Sequence, residues 1–257
     1  SRINLPGDIP SLKKEFDAIL FSGGAWTDRR LGVPGEDLEG VEGCIAFLNR
    51  LYRGEIHELK ENVAVIGDGN SAFDLARALV RIGARVTLIS WFPEEIIPAA
   101  EDEVRGAKAE DISLRDKTQL VGFSGTNGKL DRLVCRPTVP GEPDAQGIPW
   151  PVIVSESEPF ELSFDRAFVA IGQNGPLSPA SPSDLGVTER GFLKVDSAWR
   201  TNLEAVFASG DAVKGELGIQ LDQRVVLLVS KLLLDKGHAV FLRAASRVAV
   251  THPDTVI

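Results

Sequence analysis

The chain has 257 residues, enough to bury a sizeable core as one large domain or two small ones. A net charge of −9 with no basic block argues against nucleic acid or an anionic membrane surface as a bulk partner. Hydrophobic content of 43% and charged content of 25% are ordinary for a globular protein.

Only two cysteines occur, Cys44 and Cys135, far apart and outside any CxxC, so the chain itself carries neither a redox-active dithiol of that type nor a four-cysteine iron–sulfur set. Both are expected as buried small hydrophobes, which fits a reducing cytoplasm. His57, His238 and His252 are scattered without ligand spacing, and no metal site is expected. The longest apolar run, 225–234, is interrupted by Ser230 and Lys231; it is too short to span a bilayer and reads as a buried helix. No signal peptide is read at the N-terminus, and the chain contains no methionine.

In chain order, residues 16–21 read as a short apolar strand ending at Ser22-Gly23-Gly24. A turn-rich stretch centred on Pro34-Gly35 follows, and then a helix over 44–52. Residues 63–74, VAVIGDGNSAFD, carry the densest signal. Four small apolar residues end in Gly67-x-Gly69-x-x-Ala72, an amphipathic run follows, and a second apolar strand over 86–89 comes after Gly83. That strand–turn–helix–strand order cradles the pyrophosphate of a dinucleotide. The first glycine makes the tight turn, the second leaves room for a phosphate, and Ala72 lets the helix pack closely on the strand. The helix N-terminus near Asn70 and Ser71 offers free N–H groups and a favourable dipole. Ala72, Leu75, Ala76 and Leu79 recur at helix period, with Arg77 and Arg81 on another face.

The adenosine ribose should meet the end of the second strand, at Ser90, Trp91 and Phe92. The aromatics could stack on adenine or belong to a core or lid. Glu94 and Glu95 read as a solvated helix start after Pro93. Neither an acidic clamp nor an arginine stands there, so NAD and NADP both remain open.

Residues 117–138 read as strands bent at Thr126-Asn127-Gly128, and the proline-rich 137–151 as a surface loop. A strand over 164–171 ends at Gly172-Gln173, and a last strand, 205–208, ends in Ser209-Gly210-Asp211. A long apolar helix is expected from about Asp222. The strand ends at Gly23 and Gly210 flank the nucleotide unit, which implies one domain interrupted by another, because α/β sheets bind ligands at strand carboxyl ends.

Taken in order, FDAILFSGGAW, LGVPGEDLEGV, VAVIGDGNSAFDLARALVRIGARVTLIS, GEPDAQG, FVAIGQ and VFASGDAVKG resemble the small subunit of glutamate synthase and its flavoprotein relatives. Those relatives include the matching portion of dihydropyrimidine dehydrogenase and iron–sulfur-linked NAD(P)H oxidoreductases. The resemblance covers nearly the whole chain. It implies an α/β fold in which a Rossmann-like NAD(P)H domain, 46–165, is inserted into a partial FAD domain of the same type, 1–45 with 166–257. Gly67, Asp68, Gly69, Asn70, Ser71 and Ala72, with Ser90 and Trp91, would then contact NAD(P)H. Ser22, Gly23, Gly210, Asp211, Gly218 and Ile219 would lie beside FAD, and Gly172 with Gln173 near both cofactors. Electrons would pass from NAD(P)H to FAD and on to an iron–sulfur domain or partner subunit; no side-chain acid or base is required, so no catalytic residue is named.

The chain departs from that family in three places. A second GxGxxG near the N-terminus is absent, so the chain is expected to be the C-terminal part of a larger flavoprotein. Trp91-Phe92 stands where the family often has two arginines. The apolar stretch 222–239 is longer than the family's short helix. Two other readings are a nucleotide-binding sensor or docking module without catalysis, and a structural relic held for interaction. Oligomeric state is not legible.

Overall fold

The computed structural model describes residues 7–178 and 184–213. The first elements are α1 (Ile9–Glu15), β1 (Ile19–Phe21), β2 (Thr27–Asp28), β3 (Val41–Gly43) and α2 (Cys44–Tyr52). The nucleotide motif occupies β4 (Asn62–Ile66), α3 (Asn70–Arg81) and β5 (Arg85–Ile89), followed by α4 (Glu101–Ala109) and β6 (Ser113–Arg115). Then come β7 (Thr118–Thr126), β8 (Lys129–Pro140), β9 (Pro151–Ile153), β10 (Phe160–Ser163), β11 (Arg166–Val169), β12 (Gln173–Asn174) and β13 (Val206–Ala208). Contacts divide the chain into Thr27–Gln173 and a second unit made of the described parts of Ser1–Trp26 and Asn174–Ile257. The fold is α/β with a parallel sheet, as the motif order requires.

In the central unit a five-stranded sheet runs in the order β3-β11-β4-β5-β6, with every pair parallel. Val63 to Ile66 of β4 are buried without a break, as a central strand covered on both faces must be. The alternation of its side chains explains the layers. Val63 and Val65 join Phe47, Leu75, Leu79 and Phe168 beneath the helices, while Ala64 and Ile66 join Leu120, Leu133 and Cys135 from an antiparallel sheet on the other face. That second sheet orders as β10-β8-β7, with β9 also on β8. The central unit is thus three layers, with helices, parallel sheet and antiparallel sheet in turn.

Local chemistry accounts for the elements. Ala72, Leu75, Ala76 and Leu79 of α3 are buried at the spacing of one helix face. Arg77 and Arg81 leave that face and pair with Glu110 at 2.9 Å each, and Arg77 also reaches Glu103 at 3.0 Å, which pins α3 to α4. The β7–β8 hairpin turns at Asn127 (φ 53°) and Gly128 (φ 79°), two successive positive values that Asn-Gly accommodates. Phe47 of α2 meets Phe168 of β11 with centroids 4.6 Å apart, and both are fully buried. Each such ring contributes about 2–3 kcal/mol of apolar burial.

Some sequence expectations change. The stretch 137–151 is not loop throughout. β8 runs to Pro140 and β9 begins at Pro151, the two prolines facing each other on the last rung of the ladder, where a missing N–H costs least. β3 and β11 join the parallel sheet from stretches that the sequence reading had placed outside 46–165, and β11 lies beside β4 over four residues. The helix expected from Asp222 lies outside the described residues. Among the described residues no helix is long and apolar enough to cross a membrane.

In the second unit, β1 and β13 pair in parallel, Ile19 opposite Val206 and Phe21 opposite Ala208. Ile9, Leu177, Leu193, Val206, Ala208 and Val213 form its core.

Candidate functional site

The site is built on the turn between β4 and α3. Gly67 has φ +151°, and its amide donates to the Ile89 carbonyl at 3.1 Å. A Cβ added there would stand 2.3 Å from the Ala170 oxygen and 3.2 Å from the Ala72 Cβ. The turn is therefore closed against β11 by a contact that only glycine permits. Gly69, two residues on, is the opposite case: a Cβ there meets nothing within 4 Å, and its φ of −88° is open to any residue. The fold does not need a glycine at that position. What the glycine leaves is free space directly over the backbone.

Gly69 is also the N-cap of α3, and no side chain caps the helix. Asn70, the nearest capping type, is engaged elsewhere: its Oδ1 accepts from the Ala100 amide at 2.8 Å, tying the start of α3 to the start of α4. Among the described residues nothing accepts from the amides of Gly69, Asn70 or Ser71. Ala72 is fully buried beneath the turn. A helix N-terminus with unclaimed donors beneath an empty approach is the geometry that receives a phosphate oxyanion. The open space and the free donors fit a dinucleotide pyrophosphate.

Asp68 lies inside the turn. Its Oδ1 is buried with no hydrogen-bond partner. Burial is the main influence on this carboxyl and pushes it up to about 6. The Ser90 hydroxyl, the Phe92 and Trp91 amides and the Trp91 indole stand near enough to favour the charged form in part, although none makes a hydrogen bond of standard geometry to Oδ1. The carboxylate is thus brought to the carboxyl end of β5.

That end is walled by aromatics. Trp91 and Phe92 meet edge to face with centroids 5.7 Å apart, and Trp150 packs against them at 6.1 and 5.7 Å. Trp150 comes from the loop after β8. Asp144 holds that loop by accepting from the Gln146 and Ile148 amides at 2.9 Å and from the Trp150 indole at 2.7 Å. These bonds, the Ile148 amide foremost, hold the Asp144 carboxyl below its ordinary value. Trp150 remains 46% exposed, so its ring presents an apolar surface to solvent above the buried Phe92. Sequence reasoning missed Asp144 and Trp150; the local signal was an Asp two residues before Gln146-Gly147, followed by a tryptophan between two prolines. Ser90, expected on the ligand, is fully buried, and its hydroxyl donates to the Phe92 carbonyl at 2.9 Å. Its amide and carbonyl bond Arg115 and Thr118, so it stands within the wall rather than on its surface.

Gly172 has φ +102° with open space at its Cβ, and its carbonyl accepts from the Arg29 amide at 3.1 Å; Gln173 begins β12. In the second unit, the parallel pairing of β1 and β13 brings the strand ends carrying Ser22-Gly23 and Gly210-Asp211 side by side, and the Ser209 amide donates to the Phe21 carbonyl at 2.8 Å. Gly210 has φ +68° and opens a short 3-10 turn, on which Asp211 is exposed. Gly218 and Ile219 lie outside the described residues.

Residues 11–224 match the pyridine nucleotide-disulphide oxidoreductase family. The chain is 35% identical over 221 residues to the NADP(+)-dependent formate dehydrogenase subunit beta of Moorella thermoacetica, covering 84% of this chain and 31% of that protein. It is 33% identical to the NADPH-Fe(3+) oxidoreductase subunit beta of Geobacter sulfurreducens, covering 85% of this chain and 36% of that one. The glutamate synthase [NADPH] small chain of Escherichia coli is 28% identical, with coverages of 80% and 48%. The chain therefore spans less than half the length of each of these relatives. Among solved structures, FprA of Mycobacterium tuberculosis in complex with NADPH aligns with a TM-score of 0.66 at 18% identity, over 83% of this chain and 61% of that one. Thioredoxin reductase of T. acidophilum aligns with a TM-score of 0.60 at 23% identity, over 77% and 58%. These structural likenesses speak to the fold. The family match covers most of the chain, which belongs to the pyridine nucleotide-disulphide oxidoreductase family.

Proposed function

We propose that this member of the family is the electron-input part of a flavoprotein oxidoreductase, in which Thr27–Gln173 holds a nicotinamide dinucleotide and the flanking segments contribute to an FAD site. The observation that carries this reading is the contrast between Gly67, which the fold requires, and Gly69, which it does not. A glycine kept where the protein has no steric need for one, over three free amides, answers to a ligand's need for approach.

Within that reading the chain's own residues bind and orient. The amides of Gly69, Asn70 and Ser71 would hold the pyrophosphate, and the aromatic wall at Trp91, Phe92 and Trp150 would receive the adenosine end. In the second unit, Asp211 is an exposed acceptor at the end of β13, suited to a flavin-side hydroxyl beside Ser22 and Gly23. The nicotinamide supplies a hydride and the flavin accepts it, and no protein acid or base is needed; the protein's contribution is positioning. Electrons would leave through an iron–sulfur domain or partner subunit, a reading supported by relatives named as beta subunits or small chains of larger enzymes. The free, buried cysteines support a cytoplasmic setting.

The test is anaerobic reduction of FAD in the presence of this chain. Loss of the oxidised flavin's visible absorbance should be faster with the chain than without it when NADH or NADPH is added, and Gly69→Val should abolish that acceleration. Nucleotide binding with no acceleration would instead support a sensor or docking module.

A further inference from the structure

On the reading that the β4–α3 turn binds a nicotinamide dinucleotide, we propose that the site prefers the 2′-phosphorylated form, NADPH, and that Arg115 at the end of β6, with Lys117 beside it, pairs the 2′-phosphate. In this fold the adenosine ribose falls at the carboxyl end of the second strand, and a nearby arginine accommodates a 2′-phosphate there. The residues that directly follow β5, Ser90, Trp91 and Phe92, carry no cation. The neighbouring strand brings one to the same place.

The backbone fixes that neighbourhood. β5 and β6 run parallel, with Ile89 opposite Arg115 on their last rung. The Ser90 amide donates to the Arg115 carbonyl at 2.9 Å, the Thr118 amide to the Ser90 carbonyl at 2.8 Å and the Lys117 amide to the Phe92 carbonyl at 3.2 Å. Residues 90–92 are thus laced along residues 115–118. Lys117 makes this turn in the left-handed region, at φ 48°, where a residue other than glycine is uncommon. The turn keeps two cationic residues, one on either side of Asp116, at the end of the second strand.

Those charges are available. Arg115 is exposed, and among the described residues no carboxylate pairs with it; its guanidinium lies over the Phe160 ring, 4.9 Å from the centroid. An exposed contact of that kind is weaker than a bidentate guanidinium–phosphate pair, so a phosphate displaces it. Lys117 meets Asp116 only at 3.7 Å, and Asp116 Oδ2 also accepts from the Glu94 amide at 3.1 Å. The nearer alternatives are committed: Arg77 and Arg81 pair with Glu110, Lys108 pairs with Glu94, and Arg136 donates to the carbonyls of Val154, Ser155 and Ser157. The other arginines of Thr27–Gln173 without a carboxylate partner stand elsewhere. Arg85 opens β5 at its amino end, Arg53 follows the end of α2, and Arg29 bonds Gly172 beyond β11, two strands from β5. Arg115 is therefore the free guanidinium at the end of β5.

The preference is measured by calorimetric titration of the whole chain with two unreactive probes, 2′-phospho-ADP-ribose and ADP-ribose, at low ionic strength. The expected result is at least tenfold tighter binding of the phosphorylated probe. Arg115→Gln, and Arg115→Ala as a second variant, should cut that ratio to threefold or less, with ADP-ribose affinity unchanged and the thermal midpoint showing the protein folded. Arg115→Lys should restore part of the ratio, because it restores the charge without the planar fork. Lys117→Gln should lower the ratio by a smaller factor. Equal or tighter binding of ADP-ribose by the unaltered chain overturns the proposal and leaves the dinucleotide site standing. So does a ratio unchanged in both folded variants, Arg115→Gln and Arg115→Ala. Binding of neither probe overturns the proposal together with the reading beneath it, an outcome distinct from loss of selectivity alone.

Discussion

The Ala170 carbonyl oxygen stands 2.3 Å from where a Cβ on Gly67 would be, so the strand β11 and the turn after β4 close against each other through the one residue type that permits it. The Ala170 amide completes the closure by donating to the Ile66 carbonyl at 2.8 Å. Gly67→Ala should therefore destabilise the protein by about 3 kcal/mol, since it adds both a clash with backbone and a disfavoured φ. Denaturant unfolding followed by circular dichroism checks this. A change under 1 kcal/mol would mean that β11 can retreat from the turn.

Gly69→Val should behave in the opposite way. Its Cβ enters open space at an ordinary φ, so the cost should be no more than that of a poorer N-cap residue, about 1 kcal/mol. Binding of ADP-ribose should weaken at least tenfold, because the branched side chain occupies the phosphate's approach. If both glycine variants unfold alike, Gly69 is a structural turn and carries no argument for a ligand.

These two glycines mark what was readable in the sequence. The strand, turn, helix and second strand of residues 62–89 are local, and their periodicities sufficed to place them. So did the Asn127-Gly128 hairpin, whose two residues dictate its geometry. Pairings across long separations were not readable. Nothing near Asn62 announces that its amide will donate to Asp165 at 2.8 Å, or that β11 will lie beside β4. The same holds for Trp150, which reaches Trp91 only because Asp144 folds the intervening loop. Ser90 was misread as ligand-facing because a small polar residue after a strand can point either way; here its backbone is claimed from both sides by Arg115 and Thr118.

Asp68 makes a pH prediction with a definite sign. Its carboxyl is raised to about 6 from an ordinary value of 3.8, so the folded state holds the proton more tightly than the unfolded chain. The associated stability is fully present below the unfolded value and is lost as pH rises through about 6. A shift of this size corresponds to about 3 kcal/mol. Relative to Asp68→Asn, the ligand-free protein should thus lose stability between about pH 4 and about pH 6.5 and change little above, as read by its thermal midpoint.

The Glu110 carboxyl has the reverse sign. Hydrogen bonds from Arg77 and then Arg81 lower it, so its contribution exists above the unfolded value and disappears as pH falls through the lowered folded one. Glu110→Gln should lower the thermal midpoint at pH 7 and converge with the parent in acid. A constant difference across the range would mean that the loss came from packing and not from charge.

Both thiols should be silent in the native protein. Cys44 and Cys135 are 2% and 0% exposed, and burial raises them to about 12 and about 11. A thiol-disulfide reagent at pH 8 should titrate neither in the folded state and both after denaturation. Reaction of either in the folded protein would show that α2 or the antiparallel sheet opens readily.

The most direct test of the account is calorimetric titration of the chain with ADP-ribose, run beside Gly69→Val at matched thermal stability. The account predicts saturable single-site binding by the parent, weakened at least tenfold in the variant. Absence of binding by the folded parent, or equal binding by both proteins, would contradict the claim that the turn at Gly67 and Gly69 holds a dinucleotide.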